Sequence, residues 1–263
     1  MFNATHFTYD GVYSGDFGLQ IATFDGNSVE ESVVLTPTVN VIKTSLGKQF
    51  LHNGFTYEEA PEYTFSIISK KTIPIDINRE ILNWLANKNS FRRLQIHQPN
   101  LEQYYYNCVF TNINMIYVHG RLVGYKVTAK FDSIYGYGVP RVVRVQGTGV
   151  EQTISVYNES DIVEGYVYPT IEFNIMSDVG EESLSVVNTS EDYERPFTFK
   201  GINANETIIV DNELKIISGE NGGDKLSCFN YNWLRLKRGK NNLKITLNGT
   251  LKIKIPTYVL IGF

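Results

Sequence analysis

The sequence predicts a mainly β protein with one α-helix, organised as two domains. Three observations carry that prediction. Tyr and Phe are abundant, 17 and 15 among 263 residues, and Val, Ile and Thr are frequent; such side chains fit a pleated, half-buried surface. Most of the chain reads as short runs of two-residue hydrophobic alternation split by Gly, Asn and Asp turns. Helical periodicity is convincing in one place only.

The elements follow in order. "HFTYDGVY" is a strand, an Asp10-Gly11 two-residue turn and a second strand, and "FGLQIATFDGN" repeats the device at Asp25-Gly26-Asn27. In "EYTFSIIS", Tyr63, Phe65 and Ile67 form the inner face. The period then changes: Ile77, Ile81, Trp84 and Leu85 fall on one face of a helix spanning about residues 76–88. Asp76 is its expected N-cap, since the carboxylate can accept the free N–H groups of the first turn. Strands resume in "FRRLQIHQPN", "QYYYNCVFTN" and "NMIYVHGRLVGYKVTAKFDS", with a hairpin at His119-Gly120. In the tyrosine run, Tyr105 is expected to be buried and Tyr104 and Tyr106 to face outward.

Gly136, Gly138, Pro140, Gly147 and Gly149 punctuate mid-chain, so the boundary is expected near 137–150, between domains 1–140 and 141–263. Beyond it short strands recur: "YPTIEFNIM", "SLSVVN", "PFTFKG", "ETIIVDNELKII", "WLRLKRG" and "NLKITLNGTLKIKI". Strands at this spacing suggest a β-sandwich. Asn248-Gly249 reads as a type I′ turn closing a last hairpin.

Charge is unevenly placed. The net charge is −4, yet Asn232 to Ile255 holds seven basic residues and no acidic one. These are Arg235, Lys237, Arg238, Lys240, Lys244, Lys252 and Lys254. Alternation with Leu and Ile places them on the solvent side of strands, which explains their positions but not their common sign. They form a candidate basic docking face for an acidic neighbour, either another protein or the acidic remainder of this chain. Lys252→Glu and Lys254→Glu are each expected to change stability by under about 0.5 kcal/mol.

Chemistry is sparse. His6, His52, His97 and His119 are scattered, without metal-ligand spacing. "GTGVEQ", "YGYGVP" and "GENGGDK" lack the residues a dinucleotide or phosphate loop needs. The paired glutamates lie in loop-like contexts. Catalytic, cofactor and metal sites are therefore expected to be none. Cys108 and Cys228 match no redox or metal pattern and are expected as small apolar residues. No secretion signal is expected from the first residues, and no apolar run approaches the ~18 residues of a membrane span.

Four stretches together resemble the distal tail protein family of tailed bacteriophages and phage-like particles: "FTYDGVYSGDFGL", "REILNWLANKNSFRRLQIHQPNLEQYYYNCVF", "LVGYKVTAKFDSIYGYG" and "NWLRLKRGKNNLKITLNG". One departure is the missing Pro after the Phe-rich strand; Pro140 comes a few residues later. The resemblance implies a β-barrel-like N-terminal domain with one helix and a galectin-like C-terminal β-sandwich. It implies a structural virion protein at the tail tip or baseplate, assembled in the host cytoplasm. Its N-terminal domains would form a hexameric ring joining the tail-tube protein to the baseplate hub. The C-terminal domains would carry receptor-binding protein, and DNA would pass through the lumen without specific binding. No catalysis, cofactor or membrane is implied. The alternative reading is a carbohydrate-binding β-sandwich module for host-surface attachment, with Trp233 as its stacking platform; a wall-degrading tail enzyme is a third.

Overall fold

The computed structural model describes residues 6–22, 38–43, 50–56, 61–99, 101–177, 183–220, 222 and 225–260. The chain divides into two compact units, Met1–Tyr137 with Leu260–Phe263, and Gly138–Val259. The turn expected at Asp25-Gly26-Asn27 lies outside the described residues.

The first unit contains β1 (His6–Tyr9), β2 (Val12–Tyr13), β3 (Leu19–Ala22), β4 (Thr38–Lys43), β5 (Phe50–Thr56) and β6 (Glu62–Ser69). Helix α1 (Ile75–Ala86) follows, then β7 (Arg92–His97), β8 (Tyr106–Val118), β9 (Arg121–Phe131) and β10 (Tyr135–Tyr137). Seven strands pair in the order β2-β1-β7-β8-β9-β6-β3, and β4 pairs with β5 as a separate hairpin. The large sheet curls until β3 stands beside β1: the His6 imidazole Nδ1 lies 3.2 Å from the Leu19 carbonyl oxygen. Asp10 and Gly11 both take positive φ, as do His119 and Gly120, and each pair closes the hairpin expected of it.

Curling encloses a core of Phe7, Tyr9, Phe65, Ile67, Leu94, Ile96, Cys108 and Phe131, among others. Helix α1 covers it with Ile81, Trp84 and Leu85, and Ile77 packs at the edge. The Trp84 ring stacks on Phe7 at 5.7 Å, and its indole N–H donates to the Tyr9 carbonyl at 2.8 Å. One helix thereby satisfies its polar atom while burying its largest apolar surface.

Two local expectations are corrected. The N-cap of α1 is Pro74, not Asp76. Proline's φ of −64° with an extended ψ already has cap geometry, and its carbonyl accepts the Asn78 N–H at 2.8 Å. Asp76 lies inside the first turn and makes no cap hydrogen bond; its charge still suits the positive end of the helix. In the tyrosine run, Tyr106 is buried, while Tyr104 and Tyr105 are half-buried. The strand starts only at Tyr106, because Leu101 and Tyr104 are held in a hydrogen-bonded turn. Tyr105 instead stacks on Tyr137 at 5.4 Å, with the Arg93 guanidinium 4.0 Å from its ring centre.

The second unit contains β11 (Arg141–Thr148), β12 (Gln152–Asn158), β13 (Thr170–Ser177), β14 (Leu184–Asn188), β15 (Phe197–Phe199), β16 (Thr207–Asp211), β17 (Ile216–Gly219) and β18 (Gly239–Ile255). It is a β-sandwich hinged on β18. The Asn248–Ile255 half of β18 pairs with β11 and β13, and β16 and β17 extend that sheet. The Gly239–Leu247 half pairs with β12 and β14, and β15 extends the other sheet. Side chains at odd positions from Asn241 to Ile255 are buried throughout, so both halves face one interior with Phe173, Phe197, Phe199 and Phe229.

The hairpin expected at Asn248-Gly249 is absent, because β18 runs through it unbroken. Gly249 lies opposite Gly147 of β11 and Ile175 of β13, and its φ is +152°. A Cβ there would stand 2.1 Å from the Asn174 carbonyl oxygen. The glycine thus admits close backbone approach where the strand leaves one sheet for the other. "WLRLKRG" is not a strand either; Leu236 makes one isolated bridge to Val167, although Leu234 and Leu236 are buried as expected.

Candidate docking surfaces

The seven basic residues do not share one surface. Since β18 crosses between sheets with its odd positions inward, Lys244 stands on the outer side of one sheet and Lys252 and Lys254 on the outer side of the other. Arg235, Lys237 and Arg238 lie on the irregular segment before β18.

Each place has carboxylates of its own. The Arg235 guanidinium forks onto Glu191, with Nη2 2.8 Å from Oε2, and lies 3.8 Å over the Tyr166 ring. That bidentate bond holds the guanidinium in its charged form still more firmly than usual. Lys237 meets Asp192 at 3.1 Å, which raises its ammonium pKa. Arg238 approaches Asp161 at 3.5 Å, and Lys244 approaches Glu151 at 3.8 Å. Lys252 and Lys254 share Glu172, at 2.8 and 3.6 Å. Lys240 is exposed and has no ionic partner among the described residues. The acidic counterparts of the block therefore come from the chain's own loops and strands.

Hydrogen bonding from Lys252 is the main cause that lowers the Glu172 carboxyl pKa below its ordinary value of 4.5; partial burial opposes it. A carboxyl with a depressed folded pKa stabilises fully above its unfolded value and loses that contribution as pH falls through the folded one. Glu172→Gln is therefore expected to cost about 1 kcal/mol or less near neutral pH. The difference from wild type should shrink as the pH drops below 4.5, as read by urea unfolding along a pH series. A difference that grows toward acid would contradict the pairing.

Regular pairing lays out the outer face of the β11-β18-β13-β16-β17 sheet as rows. One row runs Arg144, Lys252, Glu172, Ile209, Ser218, and the row beside it Gln146, Thr250, Asn174, Thr207. A depression of about 500 Å³ lies along these rows. Arg144 was absent from the expected basic set, because "PRVVRVQG" reads as linker; its strand alternation with buried Val145 was the available signal.

Other candidates resolve into structure. Trp233 is half-buried and packs edge-on against Phe229 at 4.8 Å, so its ring is occupied by the core. His97 bonds Thr8 at 2.7 Å and His119 occupies a turn. Among the described residues no group of three potential metal ligands comes together. Both cysteines are free; Cys108 is buried in the first core, and burial pushes its thiol pKa up.

A different surface stands out in the first unit. From Thr111 to Val118, β8 pairs with β9, while its pairing with β7 is confined to Tyr106–Cys108. The far edge of that stretch has no strand partner among the described residues, and Met115, Tyr117 and Val118 are exposed along it, Tyr117 by 57%.

Comparisons with known proteins agree with this architecture. A prophage-derived uncharacterized protein of Bacillus subtilis strain 168 (the SPbeta protein YomH) is 25% identical over 258 residues, covering 95% of each chain. The Dit protein of phage SPP1, described as a paradigm of the hub adsorption apparatus in phages infecting Gram-positive hosts, superposes with a TM-score of 0.70 at 15% identity. That match covers 96% of this chain and 98% of that one. A chain of the phage p2 baseplate superposes with a TM-score of 0.50 at 11% identity, covering 95% and 97%. Residues 2–133 match the family described as phage tail protein N-terminal domain, and residues 135–255 its C-terminal counterpart. The chain thus belongs to this family of phage tail proteins, structural components of the virion rather than enzymes.

Proposed function

We propose that this protein is a distal tail protein, whose N-terminal domain (1–140) closes into a hexameric ring between the tail-tube protein and the baseplate hub. The C-terminal domain (141–263) faces outward from that ring and carries receptor-binding protein. Assembly takes place in the host cytoplasm, and DNA passes through the lumen without specific binding; an acidic chain suits such a conduit, since a basic wall would hold the passing duplex.

The observation that carries this reading is the likeness to SPP1 Dit along nearly the whole of both chains. A second feature supports a ring. The Thr111–Val118 edge of β8 away from β9 has no strand partner among the described residues and carries exposed Met115 and Tyr117. Such an edge readily pairs with another chain. A patch meeting a different patch head-to-tail closes into a ring when the rotation allows.

Light scattering at high concentration is expected to give a closed oligomer, alone or with tail-tube protein. The double variant Met115→Asp, Tyr117→Asp should remain folded and become monomeric, because both positions are exposed in the single chain. A wild-type monomer under both conditions would sink the ring reading.

A further inference from the structure

We infer that the outer face of the β11-β18-β13-β16-β17 sheet docks an acidic polypeptide segment that also carries an aliphatic side chain. The inference does not rest on the ring, which concerns the other unit.

Charge is the first argument. Arg144, Lys252 and Lys254 surround a single carboxylate, Glu172. Arg144 is exposed and has no ionic or hydrogen-bond partner among the described residues. This corner is therefore positive within a chain whose net charge is −4. Two further carboxylates lie on the face. Asp211 is turned into its own loop, where it accepts the N–H groups of Glu213 and Leu214 at 3.0 and 2.9 Å. It stands two strands from Lys254, roughly 10 Å at the usual strand spacing. Exposed Glu220 stands beside Thr207 past the end of β17, at the side of the sheet away from Arg144.

Shape and apolar surface are the second. The depression of about 500 Å³ runs across the strands from Arg144 to Thr207. Ile209, exposed by 42%, continues the row that begins with Arg144 and Lys252. Aliphatic Ile216 and Val142 are also exposed on this face. From Arg144 to Ile209 is three strand spacings, about 14 Å, which an extended chain covers in roughly four residues. A partner with a carboxylate and an aliphatic side chain four positions apart presents both to the same side, because extended side chains alternate. The amides of Gln146 and Asn174 lie alongside and can bond its backbone. An anionic polysaccharide fits less well: the rows contain no exposed aromatic ring on which a sugar could stack.

The test uses the full chain and a fluorescent synthetic peptide carrying glutamate and leucine four residues apart, with a glutamine-for-glutamate peptide and heparin as comparison probes. The glutamate peptide is expected to bind, and binding should weaken about tenfold on raising salt from roughly 50 to 300 mM. Arg144→Glu should reduce affinity about tenfold and Ile209→Ser severalfold, both with unchanged circular dichroism. Equal binding of the glutamine peptide, an unaffected Arg144→Glu variant, absence of peptide binding at low salt, or preferential binding of heparin would each overturn the inference. Light scattering of the same samples reports the ring separately, so either reading can fail alone.

Discussion

Gly249→Ala is expected to destabilise the C-terminal unit by about 3 kcal/mol or more, enough to abolish its cooperative folding in a marginally stable domain. The new Cβ would stand 2.1 Å from the Asn174 carbonyl oxygen and 2.9 Å from the Ile175 Cα. Both are backbone atoms of β13, which β18 and β16 hold from its two sides, so nothing flexible can yield. The φ of +152° adds strain for any residue with a Cβ. Gly120→Ala makes the internal comparison. Gly120 also has positive φ, but nothing lies within 4 Å of its added Cβ, so its cost should be only about 1 kcal/mol. Urea unfolding followed by tryptophan fluorescence and circular dichroism measures both. Similar small costs would mean that Asn248-Gly249 is an ordinary turn and that the unbroken β18 is wrong.

Asp10-Gly11, His119-Gly120 and Asn248-Gly249 were all expected as two-residue turns, and of these three the first two close hairpins while the last does not. What separates them is the parity of the buried positions. Across a two-residue turn the flanking residues face each other, as Tyr9 faces Val12 and Val118 faces Arg121. The buried face must then change between odd and even numbers. In β8 the buried residues Tyr106, Cys108 and Phe110 are even, and in β9 Val127, Ala129 and Phe131 are odd. Through Asn248-Gly249 the parity never changes: Leu243, Ile245, Leu247, Leu251, Ile253 and Ile255 are all odd and all buried. A hairpin would have put Lys252 and Lys254 in the core. The aliphatic phase was legible in the sequence and outweighs the turn propensity of the dipeptide.

The same glycine contact hid β11. Gly147 stands opposite Gly249, and its Cβ would meet the Leu247 carbonyl oxygen at 2.3 Å. In sequence it looks like one glycine of a linker; in the fold it is one half of a close backbone approach. Helix α1, the Asp10-Gly11 and His119-Gly120 hairpins, and the inner faces of β6 and β9 were readable because each depends on local period. The electrostatics were not. Glu172 is 80 positions from Lys252, and Asp192 is 45 from Lys237, so a block of one sign in sequence is balanced only once distant strands meet. Single-sign runs report where strands face water, and they do not by themselves report what faces them.

Ile245→Lys and Ile253→Lys are expected to cost several kcal/mol each, and similar amounts, because both residues are fully buried in one interior shared by the two sheets. The lysine must either bury an unpaired ammonium or give up its proton, so its pKa would fall and the penalty should ease at alkaline pH. Ile253→Val at the same place removes one methylene and should cost only about 1 kcal/mol. Lys254→Glu on the outer face should stay within about 0.5 kcal/mol, since Lys254 is exposed and its approach to Glu172 is the longer one. Lys252→Glu should exceed that figure, at about 1 kcal/mol, because it replaces the closest partner of Glu172 by a second carboxylate in a half-buried place. The pair of isoleucines discriminates between topologies as well as between faces. If the chain turned back at Asn248-Gly249, Ile253 would lie on the side opposite Ile245, and Ile253→Lys would be harmless while Ile245→Lys remained destructive. Equal and large losses in the two variants, measured by urea unfolding at neutral pH, are what a single strand shared by both sheets requires.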